Sequence, residues 1–397
     1  MAVKSTYNFI FLLILVVALT LISGTFTNCK FASGADEGYY FKYSVYIAEN
    51  GLSGFKALFQ DYLANKSHWV FPSPLRAGFI ILAAFWLKVF GYSFINLAYL
   101  SLLFFVLFLC LSYHFSKKYL GQRVALLFVA LLTFSPLNLA LSRRALMDSS
   151  ANFFLAASVW LFWDYLKSRN RIKLIYFILA YSFSILIKES SVLLTFVFLA
   201  YLILSKLIQK NRICVQDLLI VSAVPFATVF LVYLGLGCVS YLPEIARIVL
   251  GSPGTNPYAI FYGSGPWFRY LVDYMLLSPW VVILSIGFLL YCLLERENDA
   301  LIFYFTSVFL FSFTLLNLFT KNVRYVILLD TPMRLFSCLL LDRLSRKFFP
   351  RQALIIACIL VAAISLSDYL SFRLLFINNA IYDPASFFLL KARQFIP

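Results

Sequence analysis

Charge is what this chain has least of. Of its 397 residues only 13% are Asp, Glu, Lys or Arg, against about 25% in a soluble domain. That shortage excludes an ordinary solvated surface. Histidine is nearly missing too: His68 and His114 lie far apart in sequence, so nothing indicates a metal centre built on His. The seven cysteines form no CxxC pair and mostly sit in apolar runs, which excludes a disulfide framework and a cysteine zinc site. Short-period repeats, low-complexity tracts and soluble domains of useful size are also wanting. What fills the chain instead is apolar: 62% of residues, with a mean hydropathy of +0.88 and 19% aromatics, 44 Phe and 25 Tyr among them. Apolar runs long enough to cross a bilayer recur from end to end. Lys and Arg outnumber Asp and Glu by 33 to 17. They fall in clusters between the apolar runs, so membrane orientation explains the net charge of +16 better than nucleic acid does.

The basic clusters set a topology. Lys117, Lys118 and Arg123 form the first; Lys167, Arg169, Arg171 and Lys173 the second. Lys206, Lys210 and Arg212 form the third; Arg343, Arg346, Lys347 and Arg351 the fourth. Placed together on the cytoplasmic side, they require an even number of spans between neighbours. Runs at 124–142 and 149–166, at 174–188 and 190–208, and at 216–238, 276–294, 300–318 and 325–342 satisfy this. A last span at 352–370 leaves the C-terminus outside. Before Lys117 lie runs at 9–27, 77–92 and 94–115, an odd number if Lys4 is inside. The weakest, 77–92, follows Pro72 and Pro74 and contains Lys88. It is expected to lie in the interface or re-enter. The first run is read as a retained helix rather than a cleaved signal peptide, because more spans follow. The expected fold is an all-α polytopic membrane protein of about eleven transmembrane helices in one domain, 1–397. Its two long extracytoplasmic loops are 28–93 and 239–275, and loops this long are uncommon unless functional or disordered.

Four outward segments could carry chemistry. Asp36-Glu37-Gly38-Tyr39-Tyr40 follows the first span, and adjacent carboxylates at a membrane surface suit acid–base work; the plain alternative is a solvated capping pair. Ser142-Arg143-Arg144 through Asp148-Ser149 sets an acid beside cations; the alternative is an ion pair or helix cap. Lys188-Glu189 separates two apolar runs, as an interfacial anchor also would. Lys321-Asn322-Val323-Arg324-Tyr325 puts cations on the side where the positive-inside rule disfavours them, as an anion site or headgroup contact would. Asp330 and Arg334 lie four apart within a span and are expected to be a structural ion pair. His68 is expected to be a loop residue.

In order and spacing these segments resemble the GT-C superfamily of membrane glycosyltransferases. The nearest likeness is to the branch of protein O-mannosyltransferases and bacterial lipid A aminoarabinose transferases. The likeness rests on Asp36 to Tyr40, Pro72-Ser73-Pro74-Leu75 with the run ending Phe90-Gly91-Tyr92, Arg143 to Asp148, Leu186-Ile187-Lys188-Glu189, and Arg324-Tyr325 with Pro332. It covers about residues 5–345. The family often carries a basic residue before its Pro-Pro-Leu segment; here Phe71 stands there, and the nearest basic groups are Lys66 and Arg76.

The resemblance implies inverting transfer of a sugar from a polyprenyl phosphate to a lipid, glycan or protein acceptor. Asp36 would be the base, and Glu37 and Asp148 further catalytic candidates. Lys188, Arg324, Arg143 and Arg76, with Tyr39, Tyr40 and Tyr325, would bind substrate or phosphate. It implies interface helices in the first loop. No cofactor is required; a divalent cation is not indicated. The expected location is a bacterial plasma (inner) membrane, with the site on the extracytoplasmic face. A protein acceptor is less favoured, because the large soluble domain of eukaryotic protein mannosyltransferases is missing. An O-antigen polymerase or ligase and a lipid-linked sugar flippase are the competing readings. The Asp-Glu loop speaks against the first, and the want of an inverted repeat against the second.

Overall fold

A computed structural model describes residues 2–26, 29–209, 215–255, 260, 263 and 265–382. It is helical throughout, with no strand among the described residues. Helix α1 (Ala2–Ser23) leads into the first loop, which folds as α2 (Asp36–Asn50), α3 (Gly54–Ala64) and α4 (Ala77–Phe90). Next come α5 (Phe94–Leu120), α6 (Gln122–Thr133), α7 (Pro136–Ser142), α8 (Asp148–Ser168), α9 (Arg171–Ile187) and α10 (Leu193–Gln209). The second half holds α11 (Val215–Ser222), α12 (Val224–Gly235), α13 (Leu242–Thr255) and α14 (Arg269–Leu277). It ends with α15 (Pro279–Leu294), α16 (Ala300–Asn317), α17 (Ile327–Phe348) and α18 (Ala353–Phe372).

Each expected span is met by a helix or a broken helix. Six stretches are long and apolar enough to cross a membrane: Thr6–Ser23, Phe94–Leu120, Glu189–Ile208, Gln216–Gly235, Ala300–Asn317 and Ala353–Asn378. The pair α6 and α7, bent by 61°, makes a seventh if taken as one span. The break has a local cause: Ser135 caps α7 through Asn138 N, and Pro136 lacks the N–H that a continuous helix would use. Length and apolarity thus account for six or seven of the expected spans. Helices α9 and α15 are shorter, at 17 and 16 residues, while α8 carries charged residues at its two ends and α17 along its length.

The run at 77–92 becomes α4, of 14 residues. It rises about 21 Å, less than the roughly 30 Å hydrocarbon core. It packs between α2 and α9. Gly78 permits the second contact, because a Cβ there would sit 2.9 Å from the Leu186 Cβ and 3.1 Å from its carbonyl carbon. A separate apolar cluster holds the first loop together. Phe55, Phe59 and Tyr62 of α3 and Tyr43 and Ile47 of α2 pack with Tyr233, Cys238 and Ile245 of the later chain. Gln60 Nε2 donates to Tyr241 Oη at 3.0 Å, and Tyr233 Oη donates to the Leu75 carbonyl. The start of the second long loop therefore docks on the first; residues 256–259, 261, 262 and 264 lie outside the described residues.

Asp330 and Arg334 do pair, at 2.8 Å, and are fully buried. Arg334 also binds Asp368 at 2.7 Å, Ser278 Oγ at 2.9 Å and the Leu131 carbonyl at 2.9 Å. Asp330 accepts from Ser135 Oγ and Asn138 Nδ2 at the α6–α7 break. The pair thus ties the bundle's discontinuities together. His68 lies in the first loop, 3.2 Å from Asp61.

One prediction concerns sidedness. In a Cys-free background, Ser67→Cys and Ser190→Cys should react with an impermeant thiol reagent from outside, and Ser168→Cys should not. All three positions are exposed. Opposite labelling at 67 and 190 would overturn the parity argument.

Candidate active site

The site forms where four helix ends meet. Because α2 packs on α4, α4 on α9, and α9 on α8, the starts of α2, α4 and α8 and the end of α9 converge. The turn before α17 closes the group. The entry to α2 depends on Gly38, since a Cβ there would lie 1.7 Å from the Ser33 carbonyl oxygen. Asp36 and Glu37 occupy the first turn, where the helix dipole favours carboxylates. Neighbouring side chains on a helix diverge by about 100°, so the two acids face different partners.

Asp36 Oδ2 accepts from Arg324 Nη2 at 2.7 Å. Arg324 Nη1 lies 3.5 Å from Asp148 Oδ2, and Lys188 Nζ donates to Asp148 Oδ1 at 2.9 Å. Lys188 also sits over the Tyr325 ring, 4.8 Å from its centroid. Arg76 forks onto Glu189, with Nε to Oε2 at 3.0 Å and Nη2 to Oε1 at 2.9 Å, and its Nη1 donates to Tyr40 Oη. Three cations thus face three carboxylates: Arg76, Lys188 and Arg324 against Asp36, Asp148 and Glu189. Asp148 is 1% exposed at its side chain, whereas Asp36 and Arg324 are 30% and 29% exposed. Glu189 is as exposed, at 29%, but Arg76 holds both its oxygens, so the acid open to an incoming molecule is Asp36.

The electrostatics agree with this pairing. Burial opposes the charge on Arg324, but Asp36 and Asp148 outweigh it and hold the guanidinium above its ordinary value. Burial likewise opposes Arg76, and Glu189 outweighs it. Burial pushes the Tyr40 phenol well above its usual range, so it stays protonated beside Arg76.

Other expected residues fall elsewhere. Glu37 is 1% exposed and saturated: Arg144 forks onto it at 2.6 and 2.5 Å, and the Ala145 and Ala32 amides donate at 3.1 and 2.7 Å. It fastens the first loop to the α7–α8 turn and has no free lone pair facing the site. Arg143 points away as well; its Nη2 donates to the Thr25 carbonyl at 2.8 Å. Tyr39 stacks on Phe71 at 4.1 Å between centroids, outside the charged group. Glu189 joins the group although, of the Lys188-Glu189 pair, the sequence points to Lys188 alone as a site residue. Among the described residues, no three or more His, Cys, Asp or Glu side chains are grouped to hold a metal ion.

The chain has the fold of the GT-C superfamily of membrane glycosyltransferases. More particularly, residues 74–233 match the family model described as dolichyl-phosphate-mannose-protein mannosyltransferase. That segment contains Arg76, Asp148, Lys188 and Glu189, while Asp36 and Arg324 lie outside it. Among solved structures, ArnT from Cupriavidus metallidurans bound to undecaprenyl phosphate is similar with a TM-score of 0.57 at 17% identity, over 96% of this chain and 68% of ArnT. The apo oligosaccharyltransferase of Archaeoglobus fulgidus is similar with a TM-score of 0.59 at 14% identity, over 98% of this chain. The chain spans only 56% of that enzyme's length. No curated protein sequence matches the chain.

Proposed function

We propose that this protein transfers a sugar from a polyprenyl-phosphate donor to an acceptor hydroxyl, on the outer face of a bacterial plasma membrane. The observation that carries this reading is the convergence of Asp36, Arg76, Asp148, Lys188 and Arg324, from segments far apart in sequence, into one charged group. A partly exposed acid beside three fixed cations suits transfer of a sugar from a phosphate. Asp36 takes the proton of the acceptor hydroxyl as that oxygen attacks the anomeric carbon. The carbon–oxygen bond to the phosphate breaks, and its electron pair leaves on the polyprenyl phosphate. Attack opposite the leaving group inverts the centre. Negative charge grows on the leaving phosphate, so cations fixed in place favour the transition state over the ground state. Lys188, Arg324 and Arg76 fill that role, and the Tyr40 hydroxyl stands beside Arg76. That ArnT has been solved with undecaprenyl phosphate supports the donor class. The acceptor is a lipid, a glycan or a protein.

The test is direct. Purified protein in sealed liposomes, given a defined polyprenyl-phosphate sugar and a membrane acceptor extract, should release free polyprenyl phosphate and label an acceptor. Movement of intact donor across the bilayer with no release would favour a flippase and overturn the proposal.

A further inference from the structure

The Asp36–Arg324 contact sets two roles against each other. Under the reading above, Asp36 must accept a proton and Arg324 must hold a phosphate. Both arms of Arg324 face carboxylates: one is on Asp36 Oδ2 at 2.7 Å and the other reaches toward Asp148 at 3.5 Å. The remaining cations are also occupied, Lys188 by Asp148 and Arg76 by Glu189. Their exposure separates them. Lys188 is 6% exposed and Arg76 15%, and each is held by an acid, whereas Arg324 is open by nearly a third and so is its partner Asp36. An arriving anion therefore meets Arg324 first, and Asp36 is the partner it displaces.

We infer that the donor phosphate and Asp36 compete for the Arg324 guanidinium, so that seating the donor is what releases the base. This rests on the proposed polyprenyl-phosphate donor. The exchange has a direction. The sugar phosphodiester carries one negative charge and the departing monoester approaches two, so the guanidinium is drawn further from Asp36 as the glycosidic bond breaks. Asp148 keeps the second arm of Arg324 in place during the exchange, and Lys188 keeps Asp148 in place. The acceptor alone meets a base still tied to Arg324, which makes binding ordered, donor first. Attack by water on a donor that is only half seated is suppressed for the same reason.

A double-mutant cycle on binding tests this. Undecaprenyl phosphate affinity is measured by native mass spectrometry in wild type, Asp36→Asn, Arg324→Gln and the double variant. Arg324→Ala serves as a second deletion, and thermal melts confirm that each form is folded. Asp36→Asn should bind about two- to fivefold more tightly than wild type, because a partly exposed competing ion pair is removed. In either Arg324 background the same change should give no gain. A gain of equal size with and without Arg324 would mean that Asp36 repels the phosphate only through space, and would overturn the inference. So would an Asp36→Asn protein that binds no tighter than wild type. Failure of all forms to bind undecaprenyl phosphate would instead overturn the donor reading, and the competition with it.

Discussion

Asp36→Asn should lower turnover by about 10²–10⁴-fold, the usual worth of general-base assistance, in a protein that still folds. The expectation of intact folding comes from the geometry. Asn keeps the shape of Asp, and Asp36 is a partly exposed side chain whose one ion-pair partner, Arg324, retains its approach to Asp148. The load of anchoring the first loop falls on Glu37, which Arg144 and two backbone amides hold. Glu37→Gln should therefore show the opposite pattern: a lower melting temperature and yield, with residual activity in whatever protein folds. Rates with a purified variant and a defined donor, set beside melting curves, separate the two. Near-normal turnover in Asp36→Asn would place the base elsewhere. Asp148 would then be next, although its burial and its bond to Lys188 leave it poorly placed to meet an acceptor.

The contrast between Asp36 and Glu37 marks how far the sequence could be read. A pair of acids after the first span, and cations at Lys188 and Arg324 on the same face, were legible from charge parity alone. Parity also required 77–92 not to cross, and the helix there, α4, has 14 residues. Which of two adjacent acids faces the site came only from the family resemblance, because the helical step turns them apart and only tertiary packing fixes which direction is inward. Arg143 and Arg144 present the same case: the neighbour of the expected residue makes the ion pair. Asp368 and Glu189 were passed over because each is paired across long sequence separation, to Arg334 and Arg76. The number of spans was obscured for a related reason. Helix α17 buries Asp330, Arg334 and Asp342 by pairing them within the bundle, so its composition understates how deeply it sits. Buried charge is tolerated where each partner is matched, and matching is not written in any one segment.

Removing the Arg324 side chain should cost about 10²–10³-fold in kcat, the scale seen when one preorganised charge stabiliser is lost from a transition state. Arg324→Lys should recover only part of it. The guanidinium spans two carboxylates at once, through Nη2 to Asp36 and Nη1 toward Asp148, and its flat fork can turn one edge to a phosphate while holding Asp148 with the other. An ammonium is a point charge and reaches one of these at a time. Lys188 behaves differently. It is 6% exposed, bonded to Asp148 at 2.9 Å and seated over Tyr325. Lys188→Met leaves a buried carboxylate with only a long contact to Arg324, and breaking a buried pair from one side costs about 3–5 kcal/mol. Its loss should therefore appear in the melting temperature as well as in turnover, whereas Arg324→Lys should change turnover with little change in melting. Lys188→Met with Asp148→Asn should recover stability but not activity, because the carboxylate no longer needs a partner and the phosphate still lacks one. If ordinary headgroup contact were the whole role of these cations, all of these variants would turn over within a few-fold of wild type, and Arg76 would become the residue to test as the holder of the leaving group.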